Sequence, residues 1–327
     1  MNRRHFVELA SGAIASVAMG GCGVPGGRPS VAVTPDAPID EPAFHAMRRF
    51  AELPAGRIAY VERGSGRAAL FLHGFPLSGF QWRGALERLS PHRRCIAPDF
   101  MGLGYSEIPD GQSVAPGAQA EMLAALLDQL SIAAVDLVGN DSGGEVAQLF
   151  VARYPKRVRT LLLTNCEVAT DCPPKSFQPV LAMSRAGTFV DRVLAPMVAD
   201  KSVARSPTGI GRLAYVDPAN PTDEAVDCYF APLAGSPRRK RQCEEYAVAL
   251  GENPLAPVTT ALQHSGVPVR IVWGSGDTVF SQANPDWLDR TFPRSRGVRR
   301  VESARAFFPE EMPEIIAAEA RRLWGIA

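Results

Sequence analysis

The chain has 327 residues, and 35 Lys and Arg against 34 Asp and Glu give a formal net charge of +1, so no global field draws it to nucleic acid or an anionic membrane. Hydrophobic residues make up 46% and charged residues 21%, which excludes a disordered chain, and 29 Gly and 28 Pro with no repeat exclude a collagenous rod. A chain this long buries a core without disulfides or metals.

The first residues read as a targeting segment and not as fold. Arg3-Arg4-His5-Phe6 precedes a weakly apolar Ala/Ser/Gly/Val stretch and resembles a twin-arginine export signal. Residues 7–19 are too few, and with Glu8 too polar, to span a bilayer. Gly20-Gly21-Cys22 resembles a lipobox, although Met19 stands where a branched aliphatic residue is usual. The expectation is an exported chain with its signal in residues 1–22, periplasmic or held at the envelope by a lipid on Cys22. Removal of residues 1–21 takes away Arg3, Arg4 and Glu8 and leaves a neutral chain. Residues 23–44, rich in Gly, Pro, Ser and Asp, read as a flexible linker. Cys95, Cys166, Cys172, Cys228 and Cys243 show no zinc spacing. The separation of Cys166 and Cys172 permits a small disulfide loop, but buried thiols are the expectation.

From residue 45 apolar runs alternate with helical patterns, the signature of a mostly parallel, doubly wound sheet. Ile58–Val61, Ala69–Leu72, Cys95–Ala97, Val135–Val138, Leu161–Leu163 and Val269–Trp273 read as strands. Trp82, Ala85, Leu86 and Leu89 share one helical face, as do Met122, Ala125, Leu126 and Leu130. Val146, Leu149 and Phe150 mark a further helix, Trp287 and Leu288 another, and Met312, Ile315, Ile316, Ala320 and Leu323 a closing amphipathic one. Between 171 and 262 the strand signal vanishes; a stretch that long reads as a helical cap inserted between core segments 45–170 and 263–327. Within it Arg238-Arg239-Lys240-Arg241, followed by Glu244 and Glu245, reads as a solvated face.

The sharpest chemical signal is Gly139-Asn140-Asp141-Ser142-Gly143-Gly144, where an apolar strand runs through Gly-x-Asp-x-Gly into a helix. Such a turn lifts one side chain into a cleft, with glycines admitting the sharp bend, and the helix start favours an ionised carboxylate. Alternatively, Asp141 is simply the helix N-cap. Three more motifs flank it: His73-Gly74-Phe75-Pro76, Pro98-Asp99 through Gly102-Leu103-Gly104, and Gly274-Ser275-Gly276-Asp277. None is a Walker loop or GxGxxG, so no cofactor is expected.

In this order the four motifs resemble the α/β-hydrolase superfamily, in particular its haloalkane dehalogenase and epoxide hydrolase branch. The resemblance implies an α/β-hydrolase fold with an inserted cap and a small-molecule substrate. It implies Asp141 as a nucleophile that attacks carbon, Asp277 as the acid after a late strand, and the amides of Phe75 and Ser142 as the oxyanion hole. Some relatives carry their acid at the position of Asn165, so Asn there favours Asp277. Epoxide hydrolases polarise the oxirane oxygen with cap tyrosines, for which Tyr215 and Tyr229 are the candidates, with Trp82 as a further pocket residue. Dehalogenases place Trp beside the nucleophile, and here that residue is Ser142.

One member of the pattern is missing. The base of the family is a His shortly before a Pro-Glu-rich helix start, and the matching segment Ser303–Pro313 puts Ala306 at that position. No histidine follows His264; His73 is expected to brace the oxyanion loop, and His45 and His92 to lie away from the chemistry. Carboxylate attack on carbon survives such a loss, but the ordinary release of product does not. Two outcomes follow: Asp277 and Asp141 face each other across the space at Ala306 and hold a water, one carboxyl having a raised pKa, or the chain is a non-catalytic ligand-binding protein on this fold. Arg305 or Glu310 reaching the site is a weaker alternative.

Overall fold

Apolar runs and their glycine-rich ends dictate the sheet, and the computed structural model describes residues 38–326. The export signal, the lipobox and the linker up to residue 37 lie outside these residues. Eight strands form one sheet: β1 (Arg48–Leu53), β2 (Gly56–Arg63), β3 (Ala68–Leu72), β4 (Arg94–Pro98), β5 (Val135–Asn140), β6 (Val158–Thr164), β7 (Val269–Gly274) and β8 (Ser295–Val301). Their order is β1-β2-β4-β3-β5-β6-β7-β8. β2 is antiparallel to both neighbours, and every pair from β4 onward is parallel. β3 and β5 are buried along their whole length, as strands covered by helices on both faces must be.

The helices follow in chain order: α1 (Glu41–Met47), α2 (Arg83–Leu89), α3 (Pro116–Gln129), α4 (Ser142–Arg153), α5 (Gln178–Arg185), α6 (Ala195–Ala199), α7 (Ile210–Ala214), α8 (Asp223–Ala234), α9 (Pro237–Ala249), α10 (Thr259–Gln263), α11 (Asn284–Thr291), α12 (Phe308–Glu311) and α13 (Pro313–Trp324). α5 to α9 make a lid of short helices over the carboxyl ends of the strands, the place where open α/β sheets bind ligands. α10 packs on α4 and α11, with the core helices. The linker is shorter than its composition suggested: α1 occupies Glu41–Met47, Asp40 caps it by accepting the Ala43 amide at 2.9 Å, and Phe44 is buried against Phe80.

β1 and β8 are the strands that the apolar pattern did not reveal. β1, Arg-Arg-Phe-Ala-Glu-Leu, is an edge strand with only Ala51 fully buried. β8 carries Arg296, Arg299 and Arg300 on the opposite edge, where one face meets water and charge is tolerated. The cysteines at 95, 166, 172, 228 and 243 are free thiols, so no loop closes between Cys166 and Cys172.

Candidate active site

β5 ends at Asn140 and α4 starts at Ser142, so Asp141 alone makes the turn. Its backbone sits at φ 55°, ψ −134°, strained for a residue with a Cβ. Packing holds it there. The Asp141 amide donates to the Asn165 carbonyl just beyond β6 at 2.7 Å, and Gly144 donates to the Asp141 carbonyl at 2.7 Å. A Cβ on Gly143 would stand 2.3 Å from the Leu72 carbonyl oxygen, and one on Gly74 would stand 2.7 Å from the Asp141 Cβ. Only glycine lets α4 start against β3, and only glycine lets the loop after β3 close over the aspartate.

That closure defines the charge acceptor. Asp141 Oδ1 accepts the Phe75 amide at 2.8 Å and the Ser142 amide at 2.7 Å, so the two donors expected of an oxyanion hole converge on one carboxylate oxygen. The same carboxyl borders a cavity. Burial pushes the Asp141 carboxyl up to about 6 despite those amides, with the charge of Asp277 adding to the rise. The helix start alone does not decide its charge; the group is ionised above about pH 6.

The oxyanion loop is braced from behind. His73 Nε2 accepts the Phe100 amide at 3.0 Å, which leaves the proton on Nδ1 to donate to the Gly74 carbonyl at 2.9 Å. Burial pushes its pKa down, so His73 is a neutral strut, with both nitrogens engaged by backbone. Gln81 accepts the Gly74 amide at 2.9 Å and donates to Asn140 at 2.6 Å, and Asn140 donates to the Ala306 carbonyl at 3.0 Å.

Above Asp141 lies a cavity of about 300 Å³, at the small end for ligand sites. Its walls are mostly apolar, with Phe177, Met183, Phe189, Met197, Phe280 and Phe307 among them, and Ala306 lies in the wall. The polar side chains in that wall are Asp141, Glu167, Ser176 and Thr208. Among the described residues no group of three His, Cys, Asp or Glu is arranged to hold a metal ion.

Four expected site residues stand elsewhere. Asp277 does not line the cavity: its Oδ2 accepts Asn165 Nδ2 at 2.5 Å and its Oδ1 accepts the Val279 amide at 2.8 Å. Burial raises its pKa, and its charge acts on Asp141. Asn165 also accepts the Gly274 amide at 2.8 Å. Tyr215 donates to Glu310 at 2.7 Å, and Tyr229 is fully buried against Phe80 and Phe230. Trp82 is fully buried against Phe71. Of the three, Tyr215 is held by Glu310, which also pairs with Arg83 at 2.7 Å. Arg305 bonds the Arg212 carbonyl, so neither it nor Glu310 serves the site.

Two carboxyl groups beside Asp141 escaped the sequence reading. Glu145, buried on the first turn of α4, accepts the Cys172 thiol at 3.3 Å, and burial pushes its carboxyl up to about 8. Glu167, two residues beyond Asn165, is 6% exposed, and its buried Oε2 has no hydrogen-bond partner. Burial and the Asp141 charge push it well above the carboxylate range. The signal that could have found Glu167 is its place just past the carboxyl end of an interior strand. Glu145 gives a testable sign. The folded chain keeps this proton up to about pH 8 while the unfolded chain loses it near 4.5, so stability falls across that window and levels off above it, by as much as about 1.4 kcal/mol per pH unit. Glu145→Gln is expected to flatten the fall, measured as Tm against pH.

The comparisons with known proteins agree with this geometry. The family model described as "alpha/beta hydrolase fold" matches residues 69–311. Haloalkane dehalogenase 2 of Mycobacterium tuberculosis is 26% identical over 313 residues, covering 90% of this chain and 100% of that protein. The soluble epoxide hydrolase of Corynebacterium sp. is 28% identical over 281 residues, covering 82% and 94%. Among solved structures, an esterase of Thermogutta terrifontis superposes with a TM-score of 0.68 at 22% identity, covering 85% of this chain and 97% of that one. Epoxide hydrolase CorEH superposes at 0.67 with 24% identity, covering 85% and 98%. With the family model spanning most of the chain, and the strand order and turn in place, the chain belongs to the α/β hydrolase fold family and is related to haloalkane dehalogenases and epoxide hydrolases.

Proposed function

We propose that the chain is an Asp-nucleophile hydrolase of the epoxide hydrolase and haloalkane dehalogenase type, acting on a small apolar substrate without the family's histidine. The observation that carries the reading is Asp141 itself: Oδ1 held by two amides, on a carboxyl that lines an apolar cavity. A carboxylate so oriented attacks an electrophilic carbon and forms an alkyl ester whose carbonyl oxygen already occupies the oxyanion hole. Water then attacks Asp141 Cγ, so the oxygen delivered to the product comes from the protein. An acyl substrate fits less well, since attack by a carboxylate on it gives an anhydride.

Turnover of an epoxide or alkyl halide in ¹⁸O-labelled water tests this. Label is expected in the Asp141 peptide by mass spectrometry, or, if release is slow, a covalent adduct on that peptide. Label in the product alone after a single turnover means direct attack by water and sinks the nucleophile. The second reading, a ligand-binding protein, is favoured by one observation, Ala306 in the cavity wall where the imidazole is expected; it requires reversible binding with neither adduct nor product.

A further inference from the structure

We propose that Glu167 carries the proton in this site, donating it to the oxygen of an epoxide as Asp141 attacks and then withdrawing one from the water that releases the ester. The inference rests on the reading of Asp141 as nucleophile and narrows the substrate to an apolar epoxide. Three observations place Glu167 there. It lines the same cavity as Asp141. It is 6% exposed, with Oε2 buried and unbonded, a costly state for a polar atom unless a ligand or water completes it. Its backbone is fixed to the nucleophile's own helix, since Gln148 donates to the Glu167 carbonyl at 2.8 Å and to the Gly144 carbonyl at 3.1 Å. The tyrosines expected for this task, Tyr215 and Tyr229, are not in the cavity wall.

The steps balance within the pair. Asp141 Oδ2 bonds to a ring carbon, the ring C–O bond breaks, and its electron pair takes the Glu167 proton, leaving a hydroxyalkyl ester and a Glu167 carboxylate. That carboxylate accepts a proton from water as the water oxygen bonds to Asp141 Cγ, and the charge moves to Oδ1 between the Phe75 and Ser142 amides. Collapse breaks the Cγ–Oδ2R bond and the departing alkoxide takes the proton back from Glu167. The proton left on the Asp141 carboxyl then passes to Glu167, and epoxide plus water has become diol. Two carboxyl groups that share one proton make this exchange natural.

The groups that act on Glu167 are Asp141 and Glu145 of α4, Asp171, the thiols of Cys166 and Cys172, and Tyr246 of α9. None is a cation, so nothing among them favours early loss of its proton. Epoxide turnover therefore rises as Asp141 ionises near pH 6 and falls on the alkaline side where Glu167 ionises.

Glu167→Gln tests the proposal with two probes, styrene oxide and 1-iodobutane. Against the epoxide its kcat is expected to fall about 10²-fold or more, with the alkaline limb gone. Against the iodide, whose leaving group needs no proton, it is expected to alkylate Asp141 and accumulate the butyl ester, which wild type hydrolyses only where Glu167 has lost its proton to solvent. Wild-type kcat and an unchanged alkaline limb in Glu167→Gln would overturn Glu167 while leaving Asp141 standing. Failure of wild type and variant alike to label or alkylate Asp141 would instead overturn the nucleophile and this proposal with it. Should Glu167→Gln not fold, Glu167→Asp keeps the carboxyl on a shorter arm: reduced turnover with the alkaline limb retained supports the role, and unaltered turnover refutes it.

Discussion

Asp141→Asn is expected to lose substrate turnover by at least about 10³-fold and to gain stability at the same time. An amide does not displace halide or open an epoxide, so under the proposed function the chemical step loses its nucleophile and not an accessory contribution. The fold responds in the opposite direction because the carboxylate is an uncomfortable guest. Its pKa lies near 6 in the folded chain against 3.8 unfolded. The folded state therefore holds a proton through that window while the unfolded state does not, and stability drops as pH rises from about 4 to 6, then stays low. A shift of this size corresponds to about 2–3 kcal/mol. The Asn side-chain oxygen still accepts the Phe75 and Ser142 amides, so the substitution removes the buried charge and keeps the two hydrogen bonds. Thermal unfolding should show Asp141→Asn more stable than wild type above about pH 6 and equal to it below about pH 4. A variant as labile as wild type at pH 8, or one that keeps turnover, contradicts the placement of this carboxylate.

What the sequence makes legible follows from how local each cause is. The turn at Asp141 is written in adjacent residues, an apolar strand, Gly139, then Gly143 and Gly144, and the structure returns it with Phe75 and Ser142 at one oxygen. The interior strands are equally local, because burial on both faces demands uninterrupted apolar residues. β8 fails that pattern because an edge strand keeps Arg299 and Arg300 in reach of Glu319 and Asp286. The cap residues fail for a different reason. Tyr215 and Tyr229 have the right chemistry, but which way they face depends on Glu310 and Arg83, far away in sequence. Asp277 sits in its expected motif after β7, yet its contact with Asn165 comes from the end of a strand far away in sequence. Glu167 stayed hidden because no motif marks it; only the cavity and its unbonded oxygen do.

Ala306→His should restore release in a chain that has lost Glu167. Ala306 lies in the cavity wall, 1% exposed, and its carbonyl is pinned by Asn140 at 3.0 Å, so a side chain there projects from a fixed backbone. An imidazole at this position is expected to enter the cavity beside Asp141. The substitution costs about 1–3 kcal/mol if the wall is already full, and it reduces a cavity of about 300 Å³, so bulky substrates are expected to suffer first. The decisive comparison is the butyl ester trapped in Glu167→Gln. Adding Ala306→His is expected to speed its hydrolysis about 10²-fold or more, the usual worth of a placed general base. The rate should rise through a pKa near that of free imidazole, about 6.5, in place of the limb set by Glu167. Rescue with that pH signature would show that one proton acceptor, not one particular residue, is what the release step requires. An ester equally inert in the double variant would mean that position 306 does not look onto the ester carbonyl.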